Sequence, residues 1–75
     1  MFTGEKLRQL RLTRQMKQTQ IAYKLNITQQ RYSALENSDK LPDDWYPRIL
    51  HVLNYTKEEA DRLLDVLAVH KEGSR

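Results

Sequence analysis

The chain contains no cysteine, so neither a disulfide nor a thiolate metal site can staple it. No apolar run approaches the roughly 20 residues of a membrane span, and no secretory leader is visible. A soluble, cytoplasmic protein is therefore expected, with no membrane partner. The only glycines, Gly4 and Gly73, make no phosphate-cradling loop. His51 and His70 stand alone in their segments, without Cys, His or carboxylate neighbours at ligand spacing. Asp43 and Asp44 are adjacent, and adjacent residues do not face each other on a helix. Ser33 and Ser38 lack a nearby base. Neither an enzyme nor a metal or cofactor is expected from this pattern.

What remains is a compact, charged chain. Seventy-five residues make one domain, whose core buries only roughly 60–65% of the unfolded surface. With 39% hydrophobic and 31% charged residues, the chain reads as globular, not disordered. Charge is unevenly spread. Residues 1–40 hold eight Lys/Arg against three acids, a net of +5, while residues 41–75 hold five against seven, a net of −2. That split points to an N-terminal half facing a polyanion and a C-terminal half with another task.

The organising stretch runs from Lys17 to Asn37, KQTQIAYKLNITQQRYSALEN. Ile21, Ala22 and Leu25 share one side of a short helix, and Tyr32 and Leu35 do the same in the next. Asn26 falls where the connecting turn wants a residue tolerant of positive φ. Thr28 can cap the second of these helices by accepting from the amide of Gln30 or Arg31. Gln29, Gln30 and Arg31 follow that cap, so their long side chains splay outward from a helix N-terminus. That geometry suits the base edges of DNA.

Gln18, Ala22, Leu25, Ile27, the Thr28-Gln29-Gln30 triplet and the Leu35-Glu36-Asn37 run together resemble the helix-turn-helix of lambdoid phage repressors and Cro proteins, the XRE-type family. The resemblance covers about Gly4 to Leu64. It implies an all-α, five-helix, lambda-repressor-like DNA-binding domain, whose recognition helix spans about residues 28–37 and enters the major groove. It implies that Gln29, Gln30 and a third position, Ala34, read bases; a Gln amide can bond the adenine edge, and Ala34 can meet a thymine methyl. Arg31 reads a guanine or grips phosphate, and the two stay open. Gln18 resembles the family glutamine that sits on the DNA backbone and braces the first reader. Asn37 and Lys40 are expected at phosphates. An arginine at the place of Arg11 pairs in the family with a glutamate at the place of Glu36, clamping the first helix to the recognition helix.

The rest of the chain follows from local signals. The first helix begins near Gly4, with Glu5 in its first turn and Leu7, Leu10 and Arg11 on one face. Lys17 departs from the Ser, Thr or Asn usual in relatives at the start of the second helix, since an ammonium cannot accept from helix amides. A docked phosphate would take those amides and pair with Lys17. Residues 38–44 read as a loop, with Asp43 or Asp44 capping a fourth helix over about Asp44–Leu53. Relatives often place basic residues in this loop, whereas here Asp39, Asp43 and Asp44 outnumber Lys40, which weakens DNA affinity or keeps the loop away from DNA. Pro47 is tolerated in the first turn, Trp45, Ile49, Leu50 and Leu53 face inward, and Asn54 suits a left-handed C-cap. Tyr32 stands where the family is usually aliphatic, so its hydroxyl must find a partner or reach the rim.

Thr56 and Glu59 form a capping box for a fifth helix running to about His70. Ala60, Leu63, Leu64 and Leu67 make its inner stripe, and Val66 and Val69 add apolar surface beyond what one small core needs. Leu63, Val66, Leu67 and Val69 are accordingly the expected homodimer interface. One domain over residues 1–70 with a frayed tail at 71–75 completes the organisation. The function expected is sequence-specific binding of double-stranded DNA by a transcriptional repressor acting as a dimer on a near-palindrome. A protein-interaction or adaptor domain of the same fold, including an antitoxin-like role, is the alternative that the acidic loop favours.

Overall fold

A computed structural model describes the backbone of residues 2–73 and the side chains of residues 2–68. It contains five helices and, among the described residues, no strand: α1 (Gly4–Thr13), α2 (Gln18–Leu25), α3 (Gln29–Glu36), α4 (Trp45–Leu53) and α5 (Lys57–Gly73). Each boundary has a local chemical cause. Thr3 Oγ1 accepts from the Lys6 amide at 3.2 Å and starts α1. That helix stops at a turn where Gln15 takes φ 56°, a left-handed backbone that a non-glycine residue adopts at a cost. Lys17 gives α2 no side-chain cap, and Gln20 Oε1 instead accepts from the Lys17 amide at 2.7 Å. Asn26 closes α2 at φ 61°, and the Ile27 amide reaches back to the Ala22 carbonyl at 3.0 Å, a Schellman-type end. Thr28 Oγ1 then accepts from the Arg31 amide at 3.1 Å.

The second half follows the same logic with two departures. Asp44 occupies the N-cap of α4 but makes no side-chain bond, and its backbone is already helical at φ −72°, ψ −16°. The expected aspartate cap is therefore absent, and α4 begins at Trp45 rather than Asp44. Backbone carbonyls do the work instead: Pro42 O accepts from the Trp45 amide at 3.1 Å and Asp43 O from Tyr46 at 3.4 Å. Asn54 ends α4 at φ 61°. Arg14 reaches across from the end of α1 to donate to the carbonyls of Leu53 and Asn54, both at 2.9 Å, with its guanidinium 3.9 Å above the Tyr55 ring. Thr56 Oγ1 accepts from the Glu59 amide and Glu59 Oε1 from the Thr56 amide, the reciprocal box that opens α5. This helix continues to Gly73, three residues past the expected end at His70.

The core lies between these helices and is small. Leu7 and Leu10 of α1, Ile21 of α2, Ile49 and Leu53 of α4 and Ala60 of α5 are all buried, and Leu41 of the loop joins them. Burying one such side chain stabilises by roughly 1.5–3 kcal/mol, so few can be lost from a domain of this size. The N-terminal segment is held against the loop by Gly4 N to Ser38 O at 3.1 Å and Leu41 N to Phe2 O at 3.0 Å. Gly4 has a steric reason: a Cβ there would run into the carbonyl oxygens of Leu35 and Glu36. α1 can approach the end of α3 so closely only with no side chain at that position.

Tyr32 departs from the expectation for its hydroxyl. The side chain is fully buried, and the hydroxyl lies beside Glu36 and Arg11 without a hydrogen bond of acceptable geometry. On α5, Ala60 is buried, Leu63, Leu64 and Leu67 are half-buried, and Val66 is 59% exposed. The side chains of Val69 and His70 lie outside the described residues.

Candidate nucleic-acid interface

α2, the Asn26 turn and α3 form a helix-turn-helix whose outer surface is polar and whose inner surface is clamped to α1. The Thr28 cap fixes the first turn of α3, and the three residues after it, Gln29, Gln30 and Arg31, are exposed. Ala34, one turn further on, is exposed as well, while Tyr32 and Glu36 of the same helix are buried. α3 thus divides into a core face and a face of amides, guanidinium and methyl. Among the described residues Gln30 makes no side-chain hydrogen bond and Arg31 no ion pair, so their polar groups are available to a ligand.

Behind that face runs a chain of hydrogen bonds. Arg11 Nε donates to Glu36 Oε2 at 2.6 Å and Arg11 Nη2 to Glu36 Oε1 at 3.2 Å, a forked pair between α1 and α3. Arg11 Nη1 also donates to the Met16 carbonyl at 2.8 Å, tying the α1–α2 turn to the same point. Gln18 Nε2 donates to Glu36 Oε1 at 3.0 Å, and Gln29 Nε2 donates to Gln18 Oε1 at 3.2 Å. A buried ion pair is therefore connected, through Gln18, to the first exposed amide of α3. Burial alone would raise the Glu36 carboxyl, but the hydrogen bonds it accepts, led by that from Arg11, outweigh burial and hold it below the usual carboxylate range. The Arg11 guanidinium is correspondingly raised, chiefly by its bond to Glu36.

The other candidates take varied positions. Lys17, Asn37 and Lys40 are exposed and Gln18 is half-buried at the seam of α2 and α3. Lys17 and Lys40 make no ion pair among the described residues. Asp39, Asp43 and Asp44 are exposed too. Asp43, however, lines a groove shared by Phe2, Lys6, Tyr46, Lys57, Asp61 and Leu64, to which α3 contributes nothing. Its charge is thus set among two lysines at the junction of α1, α4 and α5, away from the amide face. No group of three or more His, Cys, Asp or Glu side chains placed to hold a metal occurs among the described residues. No helix among them is long and apolar enough to cross a membrane.

Some participants were not foreseen. Tyr23 is 84% exposed and lines a shallow depression with Asn26, Ile27, Thr28 and Arg31 beside the start of α3. Its place opposite Ile21 and Leu25 on α2 was readable as an outward aromatic. Gly4 and Arg14 act through carbonyl groups of distant segments, and neither carries a local sequence signal for that role.

A comparison at the level of families matches residues 4–68 to a helix-turn-helix domain. No curated protein and no solved structure matches the chain significantly. The matched span takes in all of α1 to α4 and most of α5, and the five helices have a lambda-repressor-like arrangement. The chain belongs to the helix-turn-helix domain family, within the XRE-like superfamily of DNA-binding regulators.

Proposed function

We propose that the chain is an XRE-type repressor: a cytoplasmic, non-enzymatic, single domain over residues 1–70 that binds double-stranded DNA sequence-specifically and inserts residues 28–37 into the major groove. Gln29 and Gln30 are its direct readers, Ala34 meets a thymine methyl, and Arg31 contacts a guanine or a phosphate. Lys17, Gln18, Asn37 and Lys40 hold the backbone and set the register. The observation that carries this reading is the exposure of Gln29, Gln30, Arg31 and Ala34 along the first two turns of α3, with Gln29 braced from behind by Gln18.

Two copies joined through Leu63, Val66, Leu67 and Val69 would place their recognition helices about 34 Å apart, so the target is a near-palindrome. A dimer occupying a promoter in this way would block polymerase. Selection of bound duplexes from a random pool tests the reading directly. A symmetric enriched site is expected, and a pool that stays random refutes it.

The exposed acids Asp39 and Asp44 favour a second reading, a protein-binding adaptor that has left DNA behind. Titration into random-sequence duplex at two salt concentrations separates the two. A repressor that neutralises phosphates loses affinity steeply with salt, with a slope of about −0.9 per phosphate. An adaptor shows no binding even at low salt.

A further inference from the structure

We infer that Glu36, although buried and out of reach of DNA, decides which base Gln29 accepts, by fixing through Gln18 which end of the Gln29 amide faces outward. The inference rests on Gln29 being a base reader. Glutamine amides have a donor end and an acceptor end of nearly identical shape, so their orientation is set by their partners. Here the first partner leaves no choice. An ionised carboxylate has no proton to give, and Glu36 is 7% exposed and paired with Arg11. The group facing its Oε1 must therefore be the nitrogen of Gln18, which sits at 3.0 Å.

The observed contact carries the orientation one step further. With one N–H turned to Glu36, Gln18 presents its oxygen to Gln29, and Gln29 answers with its nitrogen at 3.2 Å. One N–H of Gln29 is thereby used. What it keeps for DNA is its oxygen and its second N–H, one acceptor and one donor. Adenine presents the complement, a donor at N6 and an acceptor at N7, whereas guanine presents two acceptors and meets the Gln29 oxygen with like polarity. Glu36 is in this sense a positioning residue for base choice.

The substitution Glu36→Gln reverses the sequence of constraints. Arg11 Nε donates to the present Oε2 at 2.6 Å and Arg11 Nη2 to Oε1 at 3.2 Å; the shorter contact takes the new amide's oxygen, Nη2 gives up its acceptor, and the amide nitrogen turns toward Gln18. Gln18 then turns over to accept, its nitrogen faces Gln29, and Gln29 accepts with its oxygen. Both N–H groups of Gln29 now point outward, matching the two acceptors of guanine.

The experiment uses the duplex selected by the parent protein. The base pair read by Gln29 is the one whose preference is lost in Gln29→Ala. Affinity is then measured for the adenine and guanine versions of that pair with the parent, Glu36→Gln, Gln18→Met and the double variant, each checked for folding by thermal melting. In Glu36→Gln the adenine-to-guanine ratio is expected to fall at least about tenfold at that pair alone. In Gln18→Met, where the relay is cut, the ratio approaches one, and the double variant matches Gln18→Met. An unchanged ratio in Glu36→Gln, an equal loss at every base pair, or a double variant unlike Gln18→Met overturns the relay. If Glu36→Gln does not fold, Gln18→Met decides, and an unchanged ratio there overturns it. A parent protein that selects no site removes Gln29 as a reader and the relay with it. A parent that selects a site whose ratio no variant moves sinks the relay alone.

Discussion

Removing the Arg11 guanidinium should reveal how much of the fold depends on the α1–α3 clamp. Arg11→Met keeps a long side chain but deletes the donors to Glu36 Oε1, Glu36 Oε2 and Met16 O. Glu36 would remain buried with only Gln18 donating to it. Breaking a buried pair from one side costs about 3–5 kcal/mol, because a charge is left uncompensated. A domain of 75 residues has a total stability of roughly 4–11 kcal/mol, so the variant sits near the edge of folding. At about 4–8 °C per kcal/mol, the midpoint of thermal unfolding should drop by at least about 12 °C. Replacing both partners, Arg11→Met with Glu36→Leu, should recover most of the loss, since well-packed apolar pairs substitute for buried ion pairs at little cost.

The pH dependence supplies a sign that a general packing defect would not. In the parent, Glu36 is held below its ordinary range, so its contribution is complete above the unfolded carboxyl range and is lost as pH falls through the depressed folded value. In Arg11→Met the principal donor is gone and burial dominates, which lifts the folded Glu36 value above the unfolded one. The variant's penalty is then full at neutral pH and relieved as pH falls through that raised value. Urea unfolding of both proteins at pH 7 and pH 5 should show the difference between them shrinking at the lower pH. A loss under about 1 kcal/mol at pH 7 would mean that the pair behaves as a solvated one and that the clamp is decorative.

The same geometry bears on five other positions. Gln29→Ala should cost about 1–3 kcal/mol on the selected site and relax base choice at one position, whereas Lys40→Ala should weaken all sequences alike and flatten the salt slope by about one; competition binding with single-base variants separates the two. Gly4→Ala should destabilise by at least about 1 kcal/mol in chemical unfolding, because its methyl meets the carbonyls of Leu35 and Glu36. Tyr32→Phe should stabilise by about 1 kcal/mol in the same assay, since it removes a buried hydroxyl that lacks a partner. Val66→Asp should leave the monomer folded, because the side chain is 59% exposed, but abolish the proposed dimer in analytical ultracentrifugation.

The parts of the fold that were readable from sequence are those whose cause lies within a turn or two of the chain. Asn26 and Asn54 stand in left-handed backbone because Asn tolerates it. Thr28 caps α3, and Thr56 with Glu59 opens α5, because each motif closes over four residues. Asp44 shows the limit of that reasoning: its composition fits a cap, but the chain is already helical there and backbone carbonyls satisfy the first amides. Gln15 carries no signal at all for its left-handed turn. The functions of Gly4 and Arg14 are set by carbonyls more than thirty residues away, and no local pattern encodes such an approach.

The candidate site divides along the same line. That Gln29 and Gln30 follow a cap and point outward is a consequence of helix geometry alone. That the Gln29 amide is turned with its nitrogen inward depends on Gln18, eleven residues back, and on a carboxylate whose own charge is kept by an arginine from another helix. The resemblance to lambdoid repressors supplied the pairing of Arg11 with Glu36 and the bracing of the first reader by Gln18, but not the bond that joins them. Glu36 Oε1 accepts from Arg11 and from Gln18 at once, so the structural clamp and the reading face share one oxygen. On the proposed relay, stability and base choice are therefore not separable at this position, and a substitution that alters one must be measured for the other.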